Sequence, residues 1–138
     1  MRPAIPNSWD EEFTWIGTRD PSAFLSVPVA IEFMQEIGLE RFRARSRWLA
    51  TYIDSKLSES FATQPIADRS QGWYGSMAHI RLPKGDWSSL QKQLWEQIGI
   101  EVMIVQFNEE WFVRVSCHLY NNVNQLDTLI KALARLTT

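Results

Sequence analysis

The apolar positions of this chain change period along its length, and the changes mark its elements. Residues 1–19 have no clean period. Two prolines, Asn7 and Gly17 break them up, and only residues 13–16 form a short apolar patch, so they read as an irregular lead-in. Residues 20–138 read as one folded domain. Asp20-Pro21 is a helix-start pair, an acceptor followed by proline in the first turn. The stretch after it is apolar on most sides: Phe24, Leu25, Val27, Val29, Ala30, Ile31, Phe33, Met34 and Ile37. A helix apolar nearly all round needs burial. Pro28 must kink it or begin a second helix capped by Ser26, and Gly38 ends it.

A second helix is expected over residues 39–60. Leu39, Phe42, Leu49, Ile53 and Leu57 share one face. The arginines, Asp54, Lys56 and Glu59 are expected to cover the rest. Residues 61–75 are polar, with Pro65, Gly72 and Gly75, and read as a loop. Over residues 76–82 the period becomes two, with Ala78, Ile80 and Leu82 on one face of a strand. Pro83-Lys84-Gly85 turns the chain, and Asp86 is expected to cap a helix with Trp87, Leu90, Leu94 and Ile98 inward. Gly99 suits its C-terminal cap. Residues 100–107 are apolar on both faces and read as a central strand. Asn108-Glu109 is a possible two-residue hairpin turn, followed by a third strand over residues 110–117. Asn122 and Gln125 form a capping-box pair at the start of a last helix, with Val123, Leu126, Leu129, Ile130 and Leu133 buried.

The order α-α-β-α-β-β-α predicts an α+β fold: a small three-stranded, mainly antiparallel sheet with helices packed on one face. With 138 residues, one domain can bury roughly 68% of its unfolded surface, so no staple is required. Apolar residues at 45% and charged residues at 22% are ordinary for a globular chain. No apolar run approaches the ~18 residues of a membrane span, and the start, positive but without an apolar stretch behind it, does not read as a signal peptide. The single cysteine, Cys117, rules out an internal disulfide and points to a reducing cytoplasm. A net charge of −2 gives no general attraction to nucleic acid or anionic lipid. The seven tryptophans are spread along the chain and are expected in core and interface packing. The arginines at 41, 43, 45 and 47 alternate and form no stripe with them, as a base-stacking platform would need.

Candidate chemistry is sparse. In the third strand Trp111, Val113, Val115 and Cys117 point one way, and Phe112, Arg114 and Ser116 the other. Arg114 is the only charge within this apolar run, and its fork fits a carboxylate through two parallel hydrogen bonds. A solvated arginine or a structural ion pair would read the same way. Gly17-Thr18-Arg19-Asp20 precedes a helix start, where backbone N–H groups and a hydroxyl suit an anion. A plain turn capped by Asp20 fits equally. His79 and His118 have no zinc-ligand spacing with Cys117, so no metal is expected. No nucleophile elbow, Walker or dinucleotide motif occurs. The acidic pairs Glu11-Glu12 and Glu109-Glu110 fall in expected loops and read as solvated.

Two segments carry a family resemblance. Phe13-Thr14-Trp15-Ile16-Gly17-Thr18-Arg19-Asp20-Pro21-Ser22-Ala23-Phe24-Leu25-Ser26-Val27-Pro28-Val29-Ala30-Ile31 resembles a block of isopenicillin-N-epimerase-like proteins of aminotransferase class V, the class that includes cysteine desulfurases. Arg114-Val115-Ser116-Cys117-His118-Leu119-Tyr120-Asn121 resembles the same family near its C-terminus, and Ile5-Pro6-Asn7-Ser8-Trp9 resembles the exit from its large domain. The resemblance implies the family's C-terminal small domain. It implies that Gly17 and Thr18 approach the phosphate of pyridoxal phosphate, often from the neighbouring subunit of a dimer, and that Arg114 holds the substrate carboxylate. It also implies that the lysine forming the cofactor's Schiff base lies upstream of the segment where this chain begins. None of Lys56, Lys84, Lys92 and Lys131 sits in a matching motif. Pyridoxal chemistry needs that lysine and a partner for the ring nitrogen. The expectation is therefore a truncated epimerase-like isomerase fragment that binds no cofactor alone and has no catalytic residue of its own. Its expected partner is a large-domain, cofactor-binding polypeptide or a second copy, with no nucleic acid or membrane. The alternative is a non-catalytic amino-acid-binding or regulatory module of ferredoxin-like type, suggested by the β-α-β-β-α order from residue 76.

Overall fold

The structure is a computed structural model that describes Trp9 and residues 17–67 and 75–137. The apolar patch at 13–16, the large-domain exit motif before Trp9, the pair Glu11-Glu12 and the loop residues Gly72 and Trp73 lie outside the described residues. The chain divides into two compact units, residues 1–37 and 38–138.

In the first unit, α1 (Ser22–Leu25) and α2 (Val27–Ile37) are separated by a one-residue break at Ser26. Pro28 lacks an amide hydrogen and tolerates only the first turn of a helix, so a new helix begins just before it. The Ser26 hydroxyl donates to the Ala23 carbonyl across the break. No residue of either helix is buried; Phe24, Leu25, Val29, Ile31 and Phe33 are all exposed.

The second unit contains the core. α3 (Leu39–Ser60) is followed by β1 (Met77–Arg81), α4 (Leu90–Ile98), β2 (Met103–Phe107), β3 (Glu110–Ser116) and α5 (Val123–Leu136). The strands form one antiparallel sheet in the order β1-β3-β2. β1 and β2 are thus parallel to each other and straddle β3, a split βαβ arrangement. α3, α4 and α5 enclose the core against one face of the sheet, where Leu49, Ile53, Leu57, Ala78, Ile80, Leu94, Val113, Val115 and Leu133 are buried. Asn122 and Gln125 form the expected capping box on α5. Gly99 closes α4 in the left-handed region, at φ 73°, where a side chain would strain the backbone.

Four expectations need correction. The central strand is β3, not β2. β2 is apolar on both sides because one side covers the core and the other belongs to an apolar open face, with Met103 and Phe107 exposed. α4 starts at Leu90, not at Asp86. The Asp86 carboxylate instead accepts the Ser88 amide at 3.0 Å, and the Trp87 indole donates to the Pro83 carbonyl at 2.8 Å, local bonds that compete with a helical turn. The buried stripe of α3 is wider than expected and takes in Ser46, Ala50, Asp54 and Ser58, while Leu39 is exposed. Among the described tryptophans only Trp87 and Trp111 are partly buried and pack against the core, while Trp9, Trp48 and Trp95 are exposed.

Replacing Asn122→Ala removes the cap acceptor and should lower unfolding free energy by about 1 kcal/mol. Leu133→Ala should cost about 2–5 kcal/mol by opening a cavity in the core. Urea unfolding of the two variants checks both the order and the sizes.

Candidate functional site

One face of the sheet carries none of the described helices of the second unit, and the strand register sets what stands there. His79 of β1, Arg114 of β3 and Met103 of β2 are cross-strand partners in one row. The next row is Arg81, Phe112 and Val105. Met77 and Ser116 flank the first row, and Phe107 and Glu110 close the far end. The hairpin turn holds this register. Asn108 and Glu109 both have positive φ, 47° and 64°, the geometry of a two-residue turn whose twist matches the strands.

Arg114 is half-buried at the centre of this face. Its guanidinium touches the Met103 thioether, and no carboxylate pairs with it among the described residues. Arg81, in the next row on the edge strand, is already engaged: it pairs with Glu110 at 3.2 Å and lies over the Phe112 ring. His79 faces Arg114 directly. Loss of solvent on this face, and then the positive Arg114, hold the imidazole below its ordinary pKa of 6.5. Beside the row is a cavity of about 380 Å³ lined by Ile66, Met77, His79, Val105, Phe107 and Phe112. The sequence singles out Arg114 but misses this cavity, because its wall comes from three strands whose register no linear pattern reveals. The apolar outward positions of β2 are the signal that could have found it.

Gly17 and Thr18 lie in the first unit, both exposed. Gly17 has φ 84° with open space where a Cβ would be, so backbone conformation alone calls for glycine there. Asp20 accepts the Ser22 amide at 2.9 Å and the Ser22 hydroxyl. The hydroxyl bond first, then the amide, hold its carboxyl below the usual range. The N-cap position is Pro21, not Asp20 as expected, and it has no side-chain cap bond; Asp20 acts one residue earlier, bonding to Ser22 two residues on. It also places a negative charge at the start of a helix of only four residues.

The remaining candidates are structural in surroundings. Cys117 is buried, and burial pushes its thiol up to about 11, which suppresses thiolate chemistry. The His118 ring lies between those of Phe42, at 4.9 Å, and Tyr120, at 4.5 Å. Tyr52 donates to Asp127 at 2.6 Å, and this bond raises the phenol pKa. Among the described residues no three His, Cys, Asp or Glu side chains converge as metal ligands. No single described helix is long and apolar enough to cross a membrane.

Comparison with known proteins gives the lineage of this arrangement. Residues 11–129 match the model of the aminotransferase class-V family. The chain belongs to the aminotransferase class-V family. It is similar to the isopenicillin N epimerase of Amycolatopsis lactamdurans, 35% identical over 122 residues, which is 88% of this chain and 31% of that protein. It is likewise similar to the isopenicillin N epimerase of Streptomyces clavuligerus, at 32% identity with the same coverage. The chain thus spans about a third of the length of these curated relatives.

The family uses pyridoxal phosphate, and the residues present can be tested against that group. All four lysines are described, and all four are exposed. Lys56, Lys92 and Lys131 lie on helices that cover the sheet face opposite to Arg114, and Lys92 is 3.8 Å from Glu96. Lys84 is in the loop after β1. No lysine stands on the open face. At Gly17-Thr18 the helix-start amide is already taken by Asp20. The described residues therefore do not fit the whole cofactor, and no chemical step follows from them alone.

The paired environment of His79 and Arg114 can be measured. In an NMR titration His79 should protonate below 6.5. Arg114→Gln should raise that pKa only part of the way, since lost solvation is the larger cause. The sign for stability follows. The unfolded imidazole binds its proton first, so the His79 contribution is complete above about 6.5 and is lost as pH falls through the folded pKa.

Proposed function

We propose that this chain is the C-terminal small domain of an isopenicillin-N-epimerase-like pyridoxal phosphate enzyme, and that it does not catalyse by itself. Arg114 is its substrate-binding residue and takes the substrate carboxylate; Gly17 and Thr18 approach the cofactor phosphate in the complete enzyme. The observation that carries this reading is Arg114, a half-buried guanidinium without a described carboxylate partner, at the centre of a sheet face that carries none of the described helices of the second unit. A fork in that position has both donors available for an incoming carboxylate. Pyridoxal phosphate, when bound, supplies the electron sink that labilises bonds at the amino acid's α-carbon. This chain's part is to orient the acid group relative to it.

Three further features support the reading. The segment shared with the relatives is 31% of their length. The exposed lysines give no candidate for the Schiff base near Arg114. The apolar, exposed α1 and α2 offer surface for a polypeptide that bears the cofactor or for a second copy, and a single buried cysteine suits a reducing cytoplasm. The reaction type is set by the missing part, because one fold hosts many chemistries. A regulatory amino-acid-binding module is the competing reading, favoured only by the presence of a cavity beside Arg114 in this chain alone.

The purified chain mixed with pyridoxal phosphate should show no stable aldimine absorbance, and borohydride should fix the cofactor to no particular lysine. A stable band trapped on one lysine would contradict the reading. With a cofactor-bearing large-domain polypeptide added, activity should appear, and Arg114→Gln should raise KM for the amino acid on the order of 100-fold, the loss of about one charged hydrogen bond pair. Activity indifferent to Arg114 would remove its assigned role.

A further inference from the structure

The Arg114 fork is one half of a binding surface whose other half is apolar. We infer that the open sheet face binds monocarboxylates with an uncharged, apolar body, the carboxylate on Arg114 and the body in the cavity formed by Met77, His79, Val105, Phe107 and Phe112. This rests on the reading of Arg114 as a carboxylate clamp and adds the class of group the clamp serves.

The argument for this occupant is charge and shape together. At about 380 Å³ the cavity lies within the range of small-molecule sites, which are mostly apolar with a few placed polar groups. Its wall is the aliphatic Ile66, Ala67 and Val105, the Met77 thioether and two phenyl rings, with His79 as the polar exception. Arg114 and Met103 close the row next to it. Among the described residues, the charged groups on the face beside the cavity are therefore cationic or already paired: Arg114 is without a described carboxylate, and the acid Glu110 is bound to Arg81. An anion is attracted here and a cation is repelled. A second carboxylate on the ligand would find no second free cation, since Arg81 is engaged. A second copy of the chain is a poor fit, because a symmetric pairing through this face would set Arg114 and His79 against their own counterparts. An α-ammonium group also has no free acidic partner on this face among the described residues. The chain should consequently prefer an amino acid's deaminated analogue to the amino acid itself, which is the behaviour of half a site and not of an amino-acid sensor.

The test uses the 138-residue chain and 4-phenylbutyrate as probe, with dissociation constants from amide shifts in NMR titrations. Acetate, 4-phenylbutylamine and the α-amino acid homophenylalanine are the comparison ligands. Phenylbutyrate should bind roughly tenfold more tightly than each of them, with shifts at Met77, Val105 and Phe107. Arg114→Gln should weaken phenylbutyrate roughly tenfold. Arg114→Lys, which keeps the charge but not the fork, should weaken it less and serves if the glutamine variant fails to fold. Phe107→Ser changes an exposed side chain at the end of the cavity; it should weaken phenylbutyrate several-fold and leave acetate unchanged. If the arginine variants weaken binding but Phe107→Ser and the phenyl body have no effect, the apolar half is overturned and the clamp stands. If neither arginine variant has an effect, the clamp falls and the inference with it. If homophenylalanine binds as well as phenylbutyrate, the monocarboxylate preference is overturned in favour of an amino-acid-binding module. Self-association through this face, with no ligand bound, would also overturn it.

Discussion

The structure depends on the side-to-side alternation of β3. Val113 and Val115 turn into the core, and Cys117 follows them just past the strand's end, while Phe112, Arg114 and Ser116 face the other way. Burying each aliphatic side chain is worth roughly 1.5–3 kcal/mol. A slip of one residue would expose all of them and drive the Arg114 guanidinium into the helix-covered core. An unpaired charge in such a place costs several kcal/mol. The arginine therefore helps to set the register as well as to decorate it. The left-handed turn at Asn108 and Glu109 locks β2 to the same register, and the pairing of Ile80 with Val113 locks β1.

With the register set, the two faces take different duties. α3, α4 and α5 cover one face and supply the stability of the second unit. The other presents the Arg114 guanidinium, the Arg81–Glu110 pair, an imidazole held neutral more readily than usual, two thioethers and two phenyl rings. Such a face is costly to present to water and makes sense as a half-site. The chain belongs to a family whose curated relatives are about three times as long. In the first unit, α1 and α2 likewise bury no residue and expose Phe24, Leu25, Val29, Ile31 and Phe33.

Much of this was legible from residue types alone. The ends of α3, the capping box of α5, the glycine cap of α4, the hairpin turn and the inward triplet Ala78, Ile80 and Leu82 each follow from a local rule, and local rules need no partner. The role of β2 did not follow, because a strand apolar on both sides looks alike whether flanked by two strands or exposed on one face. The burial of Asp54 was equally hidden. It is adjacent to Ile53 on α3, and only the width of the groove between sheet and helix decides that both go inside. Of the candidate site, Arg114 stood out as a lone charge in an apolar strand, and Gly17 as a glycine before a helix start. The cavity beside Arg114 was not legible, since it exists only where three strands are aligned.

The most direct measurement is cysteine accessibility along β3. In a Cys117→Ser background, single cysteines at positions 113, 114, 115 and 116 are exposed to a soluble thiol reagent under native conditions. Rapid labelling at 114 and 116 with protection at 113 and 115 is the expected result. Protection at 114, or labelling in the opposite phase, would mean that Arg114 does not face an open surface, and the half-site would be lost.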